Sequence, residues 1–425
     1  MLMQHRSENM IREPQPTLRK QVKAVPPTAP RQRKKRKSLF RRISAWLHLW
    51  LGLISGIIVL IVSLTGAVYV FQPQAYEAFH RQALFVPPGE GPVLPLDSLW
   101  NKAQRALGTQ YPISSVATYK APDRAWEFLA IKTDEEAPTY FGYMEYYYTI
   151  YLNPRTGEVS GIIDNKYEFF NIVKFIHWSL LLSTELGQPV VGWSTLIFVL
   201  MLITGLVLWW PKKWTRANRE RSFKVRWTAR WKRLNYDLHN VLGFYSLLLA
   251  LVIAITGLTY SFQWVNKAFL YLTTGQTTYA EEPVVKSPLA TEDTRGMKPL
   301  DRALATAWRM IPDAGSIITS GMPGEADGSI LMSARMTRYA YYKYNVLYFS
   351  RYSGTLLSRD LYRDKSSGEK LSGMNYDIHV GTIGGLPTQV LALMISLICA
   401  SLPVTGFYVW WNKKRQRKKH IPPAV

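Results

Sequence analysis

Four of the seven histidines in this 425-residue chain occupy matched positions beside long apolar segments. His48 and His239 stand near the start of such a segment, and His177 and His379 stand just before one. An ionisable side chain in a membrane-spanning bundle is costly and by default marks function. Paired neutral imidazoles are what a six-coordinate b-type haem requires, with Nε2 on the iron and Nδ1–H held by an acceptor. No Cys-x-x-Cys-His motif occurs, so the predicted haem is non-covalent.

The spacing of the motifs sorts the four histidines into two layers. Each of His48 and His239 is followed 17 residues later by a Thr-Gly pair, which at 1.5 Å per helical residue lies roughly 26 Å deeper. That depth is the expected level of His177 and His379. We therefore predict two haem b sites, one held by His48 and His239 and the other by His177 and His379.

Glycines and arginines complete the predicted site. Glycine gives a flat macrocycle room near the backbone, and arginines at the inner surface are placed to pair with its propionates. The predicted cofactor contacts are Gly52, Gly243, Gly66, Gly257, Gly205, Gly406, Arg42 and Arg233. Simpler interpretations stay open: Thr-Gly can serve close helix packing, the arginines can be membrane anchors, and duplication alone would copy a structural histidine.

Charge placement argues for a membrane and against a nucleic-acid partner. Of the net +23, the segments 1–42, 211–234 and 411–425 account for +26, from 29 basic and 3 acidic residues, so the rest of the chain carries −3. Basic segments beside apolar runs orient a membrane protein by the positive-inside rule. The prediction is a multi-pass protein of the bacterial inner membrane with both termini in the cytoplasm. His48 and His239 are then on the cytoplasmic side, and His177 and His379 on the periplasmic side.

Four charge-free apolar runs are long enough to cross a bilayer, which takes about 20 residues. They are residues 43–71, 188–210, 238–265 and 379–411. The single cysteine, Cys399, lies in the fourth run, so an intrachain disulfide is excluded and the segments outside the membrane must fold by packing alone.

The two halves of the chain repeat one pattern, which indicates a tandem duplication. In each half a helical pattern (96–107, 300–308) is followed by strand-like runs (146–152, 339–349) and a glycine-containing turn. The predicted fold class is a membrane α-helical bundle of four transmembrane helices with two periplasmic α+β modules, each one helix packed on an antiparallel sheet.

The predicted boundaries follow from these patterns. They are a disordered basic cytoplasmic tail at 1–40, transmembrane helix 1 at 43–72, a first periplasmic module at 73–170, an interface segment with helix 2 at 171–210, a basic cytoplasmic loop at 211–234, helix 3 at 235–265, a second module at 266–374, an interface segment with helix 4 at 375–411 and a basic cytoplasmic tail at 412–425.

Two smaller motifs are given structural interpretations. Asn235-Tyr-Asp237 and Asn375-Tyr-Asp377 end two residues before a histidine and are expected to be helix N-caps. His80 is expected at the surface.

Taken together, the His48-x-x-x-Gly52 and His239-x-x-x-Gly243 starts and the Thr-Gly…Trp-Trp endings resemble the PepSY-associated transmembrane family over about residues 40–415. That family includes iron-regulated membrane proteins and periplasmic ferric-siderophore reductases. The turn Asn153-Pro-Arg-Thr-Gly157-Glu-Val resembles the end of a PepSY module, and Ser350-Arg-Tyr-Ser-Gly354 is a weaker copy. The resemblance implies two b haems that pass electrons outward to a ferric chelate held by the PepSY modules.

Two functions of different classes follow. The first is a haem-dependent transmembrane oxidoreductase that reduces a periplasmic ferric-siderophore or another acceptor; relay and placement need no acid–base catalytic residue. Its electron donor is a quinol or a separate reductase, since no nucleotide-binding motif occurs. The second is a non-redox PepSY binding module on a membrane anchor that regulates a periplasmic partner. A permease is disfavoured because the runs lack a charged or broken-helix site at the midplane.

Overall fold

The computed structural model describes residues 38–89, 91–278, 285–289, 296–320 and 327–419. Most of the predicted disordered tail at 1–40, and the end of the predicted basic tail at 412–425, lie outside the described residues.

Helices make up most of the described chain. In chain order they are α1 (Leu39–Tyr69), α2 (Gln72–Phe79), α3 (Arg81–Leu84), α4 (Leu96–Leu107), α5 (Tyr140–Tyr143), α6 (Phe169–Ser179), α7 (Thr184–Trp209), α8 (Arg216–Phe223), α9 (Trp231–Ser261), α10 (Gln263–Thr274), α11 (Pro299–Met310), α12 (Ser367–Gly373), α13 (Asn375–Val380) and α14 (Leu386–Lys419). Short 3₁₀ turns lie at Tyr362–Asp364 and Thr382–Gly384.

Four described helices, α1, α7, α9 and α14, are long and apolar enough to cross a membrane. Their apolar side chains meet in a cluster that includes Val59, Phe198, Ala250 and Ile395. The helix α9 starts at Trp231, inside the predicted loop 211–234, and ends where Phe262 becomes extended. Because every backbone N–H must be satisfied in hydrocarbon, unbroken helices of 26 to 34 residues suit the apolar runs.

The strands form one antiparallel sheet. They are β1 (Ser115–Tyr119), β2 (Trp126–Thr133), β3 (Met144–Leu152), β4 (Val159–Asp164), β5 (Ser316–Ser320), β6 (Ser329–Arg335), β7 (Tyr344–Ser350) and β8 (Leu356–Asp360), in the order β4-β3-β2-β1-β5-β6-β7-β8. The two sheets expected from the sequence are joined at their edges, since β1 pairs with β5 from Ser115↔Ser320 to Tyr119↔Ser316.

The two halves of the sheet have the same local order, a helix followed by four strands. The helices α4 and α11 cover one face, and a common apolar core lies beneath them. Its fully buried sheet side chains are Val116, Phe128, Ile150, Leu152, Ile317, Met332, Leu347 and Phe349. Residues between them in sequence point to the opposite face because side chains alternate along a strand. That opposite face carries polar and aromatic side chains, and it lies towards α1 and α6 across a cleft.

Candidate functional site

The structure brings the four predicted histidines together as two pairs. His48 of α1 and His239 of α9 have ring centres 6.3 Å apart at an interplanar angle of 81°. His177 of α6 and His379 of α13 have ring centres 6.1 Å apart at 59°. The first is here named the basic-end pair, since it lies near the end of the bundle that carries α8, and the second the sheet-end pair.

Each histidine is held by the threonine of a Thr-Gly motif on a neighbouring helix. The Nδ1–Oγ1 distances are 3.1 Å for His48 and Thr204, 3.0 Å for His239 and Thr405, 3.3 Å for His177 and Thr65, and 3.1 Å for His379 and Thr256. In the first half α1 carries both His48 and Thr65, while His177 comes from α6 and Thr204 from α7. The second half repeats this with α9, α13 and α14. The sequence placed these motifs at one depth but did not reveal this contact.

Backbone carbonyls fix the tautomer of these rings. The Nδ1 atom of His48 lies 3.1 Å from the Met201 oxygen, and that of His177 lies 2.9 Å from the Val62 oxygen. A carbonyl oxygen only accepts, so Nδ1 carries the hydrogen. His379 makes the same contact with the Ile253 oxygen at 3.0 Å. In the described chain these rings use Nδ1 for their hydrogen bonds, which leaves the Nε2 lone pair for a ligand.

The glycine of each Thr-Gly motif lies against the ring of the same histidine. A Cβ atom at Gly257 would stand 2.9 Å from His379 Cε1, and at Gly66 it would stand 3.0 Å from His177 Cε1. The matching distances to the basic-end pair are 3.2 Å for Gly205 and 3.1 Å for Gly406. A side chain at Gly257 would displace the imidazole, and at the other three glycines the ring would have to shift by a few tenths of an ångström. This contact with the imidazole differs from the predicted clearance for a macrocycle.

The other two predicted glycines contact neighbouring helices. A Cβ at Gly52 would lie 3.1 Å from the Met201 methyl group, and one at Gly243 would lie 3.6 Å from Leu402. These contacts are of the close-packing kind.

The predicted arginines have unequal surroundings. Arg42 is exposed. Arg233 forms an ion pair with the buried Asp237 at 2.8 Å, and this carboxylate is its partner in the structure. Arg41 was not singled out from the sequence, yet it donates hydrogen bonds to the Leu208 and Trp210 oxygens, so it caps the end of α7.

The N-cap interpretation of the two Asn-Tyr-Asp motifs is wrong. Asn235 lies inside α9, and Asn375 begins α13 without capping it. Each instead braces the threonine that holds the nearby histidine. Asn235 Nδ2 donates to the main-chain carbonyl oxygen of Thr405 at 3.0 Å. Asn375 Nδ2 donates to the Thr259 hydroxyl at 2.8 Å and to the main-chain carbonyl oxygen of Thr256 at 3.4 Å.

A cavity of about 370 Å³ lies within the bundle beneath the sheet-end pair. Its wall includes His177, His379, Gly66 and Gly257, and it extends to the apolar residues at the centre of the bundle, such as Val59. The volume is within the range of small-molecule and cofactor sites. We call it the bundle cavity.

A larger cleft of about 770 Å³ separates the polar face of the sheet from α1, α2 and α6. Seven tyrosines and five basic side chains line it. Glu77 of α2 lines it and binds both halves of the sheet. Its carboxylate pairs with Arg124 at 3.2 Å and with Arg338 at 2.6 Å, and it accepts from the Tyr339 hydroxyl at 3.0 Å. We call this space the sheet cleft.

Asp377 connects the sheet cleft to the sheet-end pair. Its buried carboxylate accepts the backbone N–H of Tyr341 at 2.9 Å and that of Tyr342 at 2.9 Å. Tyr341 lines the cleft, and Asp377 stands two residues before His379 on α13. One short helix therefore carries a pair member and anchors a cleft wall.

Burial acts on one carboxyl group of this cleft. It raises the pKa of the Glu127 carboxyl, although Arg124, 3.2 Å away, acts in the opposite direction.

His80, predicted to be a surface residue, is half-buried; its Nε2 lies 3.6 Å from Glu168, and its ring lies 4.4 Å from that of Tyr76.

Comparison with known protein families shows which family the chain belongs to. The family model described as the PepSY-associated TM region matches residues 45–413. The chain belongs to this PepSY-associated transmembrane family. The match covers all four long helices and the sheet between them, and it supports a membrane location. No curated protein matches the chain in sequence.

Within the described part of this PepSY-associated chain, no group of three or more His, Cys, Asp or Glu side chains is arranged to hold a metal ion by itself. The sites are pairs of imidazoles. Two imidazoles on opposite sides of one metal, with bonds of about 2 Å, place their ring centres about 6 Å apart, which both pairs match. The donor set therefore fits a metal whose other ligands come from a planar macrocycle.

Proposed function

We propose that this chain is a dihaem b-type electron-transfer protein of the bacterial inner membrane. In this proposal it carries electrons from the cytoplasmic side or the quinol pool to a ferric-siderophore in the periplasm, where Fe(II) is released for uptake. Fe(II) holds hard oxygen ligands less tightly than Fe(III), so reduction frees the iron without destroying the chelator.

One observation carries the proposal: two imidazole pairs at opposite ends of an apolar bundle, each with Nδ1–H fixed and Nε2 directed to no partner in the described chain. A structural histidine kept only for packing needs no second imidazole at ligand distance. The bundle is long enough for one haem site near its basic end and a second near its sheet end, which places one site in each half of the membrane.

The residues that would hold the cofactors are His48 with His239, and His177 with His379. A six-coordinate b haem supplies one-electron transfer when it is bound. Thr204, Thr405, Thr65 and Thr256 hold the rings by accepting from Nδ1–H, which also raises the basicity of Nε2. Val59 and Phe198 belong to the apolar cluster of the bundle between the two pairs.

We place the ferric-siderophore, as substrate, in the sheet cleft. Its tyrosine hydroxyls and basic side chains suit an oxygen-rich chelate, and its wall meets that of the bundle cavity at Tyr69. The loop at Tyr341, held by Asp377, gives this wall a fixed position relative to His379.

The proposed orientation has the basic end in the cytoplasm, because α8 and the residues after Trp411 are rich in Lys and Arg. The sheet is then periplasmic. We also propose that each helix-and-four-strand half of the sheet is a PepSY module and that the halves arose by tandem duplication. The shared Thr-Gly–His contacts in both halves support this origin.

A vesicle experiment tests the proposed function. The protein is reconstituted in liposomes with trapped dithionite, a ferric trihydroxamate is added outside, and Fe(II) is followed with an external chromogenic chelator. We expect Fe(II) to appear with the wild-type protein and not with His48→Ala. Equal rates for both proteins would contradict the proposal and favour a non-redox binding module, for which the sheet cleft provides the site.

A further inference from the structure

Lys174 lies on the wall that the bundle cavity and the sheet cleft share. Of the described residues that line these two spaces, only Lys174 and Tyr69 line both. Lys174 stands on α6, three residues before His177, and residues three apart share one face of a helix. The ammonium group is therefore close to the sheet-end pair and faces the same interior.

The surroundings of Lys174 are poor in charge. Burial lowers the pKa of Lys174, and only Glu168 acts to raise it. In the described structure no carboxylate lies within ion-pair distance of the ammonium group, whose aromatic contact is the ring of Phe175 at 4.9 Å. Partial removal of a cation from water without a close counter-ion costs free energy, and an anionic ligand here would offset that cost.

We propose that Lys174 binds a carboxylate of the macrocycle held by His177 and His379. This inference rests on the proposed function. Haem b carries two propionates, and a half-buried ammonium three residues from His177 would be suited to pair with one of them. The sheet end would then use a lysine for the role that the sequence assigned to arginines at the basic end.

The same ammonium could instead bind an acidic chelate in the sheet cleft, and the experiment separates the two sources. Protein with His48→Ala, which leaves only the sheet-end pair, is produced without haem and titrated in detergent with haemin and with haemin dimethyl ester. Absorbance reports binding. Ferric citrate binding is measured separately as the probe for an acidic chelate.

With Lys174 present we expect haemin to bind about ten-fold more tightly than its ester, because only haemin carries the free carboxylates. Lys174→Met should bind both compounds with the affinity of the ester, and Lys174→Arg should restore the preference. Lys166→Met is the matched control, since Lys166 lies outside both cavities and should leave the preference unchanged. Circular dichroism confirms that each variant is folded.

Four results would overturn the inference. A preference retained in Lys174→Met would show that the ammonium does not contact the carboxylate. Loss of ferric citrate binding with the preference intact would assign Lys174 to the cleft. Equal binding of haemin and its ester by the Lys174 protein would reject the inference and leave the proposed function standing, whereas binding of neither would reject both.

Discussion

The hydroxyl of Thr256 lies 3.1 Å from Nδ1 of His379 and itself donates to the Val252 oxygen at 2.9 Å. Because the hydroxyl hydrogen is used within its own helix, the oxygen accepts from the imidazole. One side chain thus connects the backbone of a membrane helix to the orientation of a ring on another element. The same arrangement occurs at all four histidines, which makes the threonines the most informative targets.

Thr256→Val should weaken haem binding at the sheet-end pair by about ten-fold, the lower part of the range for residues that support a metal ligand. The effect is limited because the Ile253 oxygen still accepts from Nδ1. Haem affinity by absorbance titration checks this. Thr273→Val is the control, since that hydroxyl bonds only within α10; an equal loss in both variants would show that the contact with His379 is irrelevant.

Gly257→Ala should displace the ring of His379, because the added methyl group would stand 2.9 Å from Cε1. We expect a changed absorption or electron paramagnetic resonance signal from one haem and at least ten-fold weaker binding of it. Gly373→Ala adds a methyl group in a helix with no atom within 4 Å and should change nothing. A normal spectrum in Gly257→Ala would contradict the ring contact.

His48→Ala and His177→Ala should each reduce the haem content from two to one. His48 and Thr65, which contacts His177, lie 17 residues apart along α1, about 26 Å. The two pairs share no ligand, so the remaining site should keep its spectrum. Pyridine haemochrome assay with a protein determination gives the count. Loss of both haems from a folded single variant would reject two independent layers.

Glu77→Gln should lower the stability of the folded protein by about 1–3 kcal/mol, because it removes the charge that pairs with the buried Arg124 and with the exposed Arg338. Thermal unfolding in detergent checks this. Glu220→Gln removes a carboxylate from the exposed pair with Arg216 and should cost less than about 1 kcal/mol. Similar shifts in both variants would mean that Glu77 does not join the halves of the sheet.

Much of the bundle could be predicted from the sequence, because hydrocarbon imposes length and apolarity on each span. The pairing of His48 with His239 was predictable too, since spacing and topology gave the depth of each residue. The partner of Nδ1 was not, because it depends on how the helices are rotated about their axes. The prediction for Asn235 was wrong because it relied on the preference of asparagine for N-cap positions. In the structure α9 begins at Trp231, and the Asn235 side-chain amide donates a hydrogen bond to Thr405.

The sheet shows the same limit. The strand-like runs predicted at 146–152 and 339–349 lie on β3 and β7, although β7 begins only at Tyr344. The glycines of the predicted turns, Gly157 and Gly354, are left-handed with φ of 71° and 68°. The pairing of β1 with β5 could not be predicted from the sequence of either strand. An edge strand that pairs with another sheet has the same alternation of apolar and polar side chains as an edge strand that faces solvent. The sheet cleft depends on that join and was therefore not foreseen.

The visible spectrum of the purified protein from haem-replete cells tests the proposed function most directly. After reduction with dithionite we expect a b-type α-band and two haems per chain by pyridine haemochrome assay, with bis-histidine signals in electron paramagnetic resonance of the oxidised form. A colourless, folded preparation would contradict it.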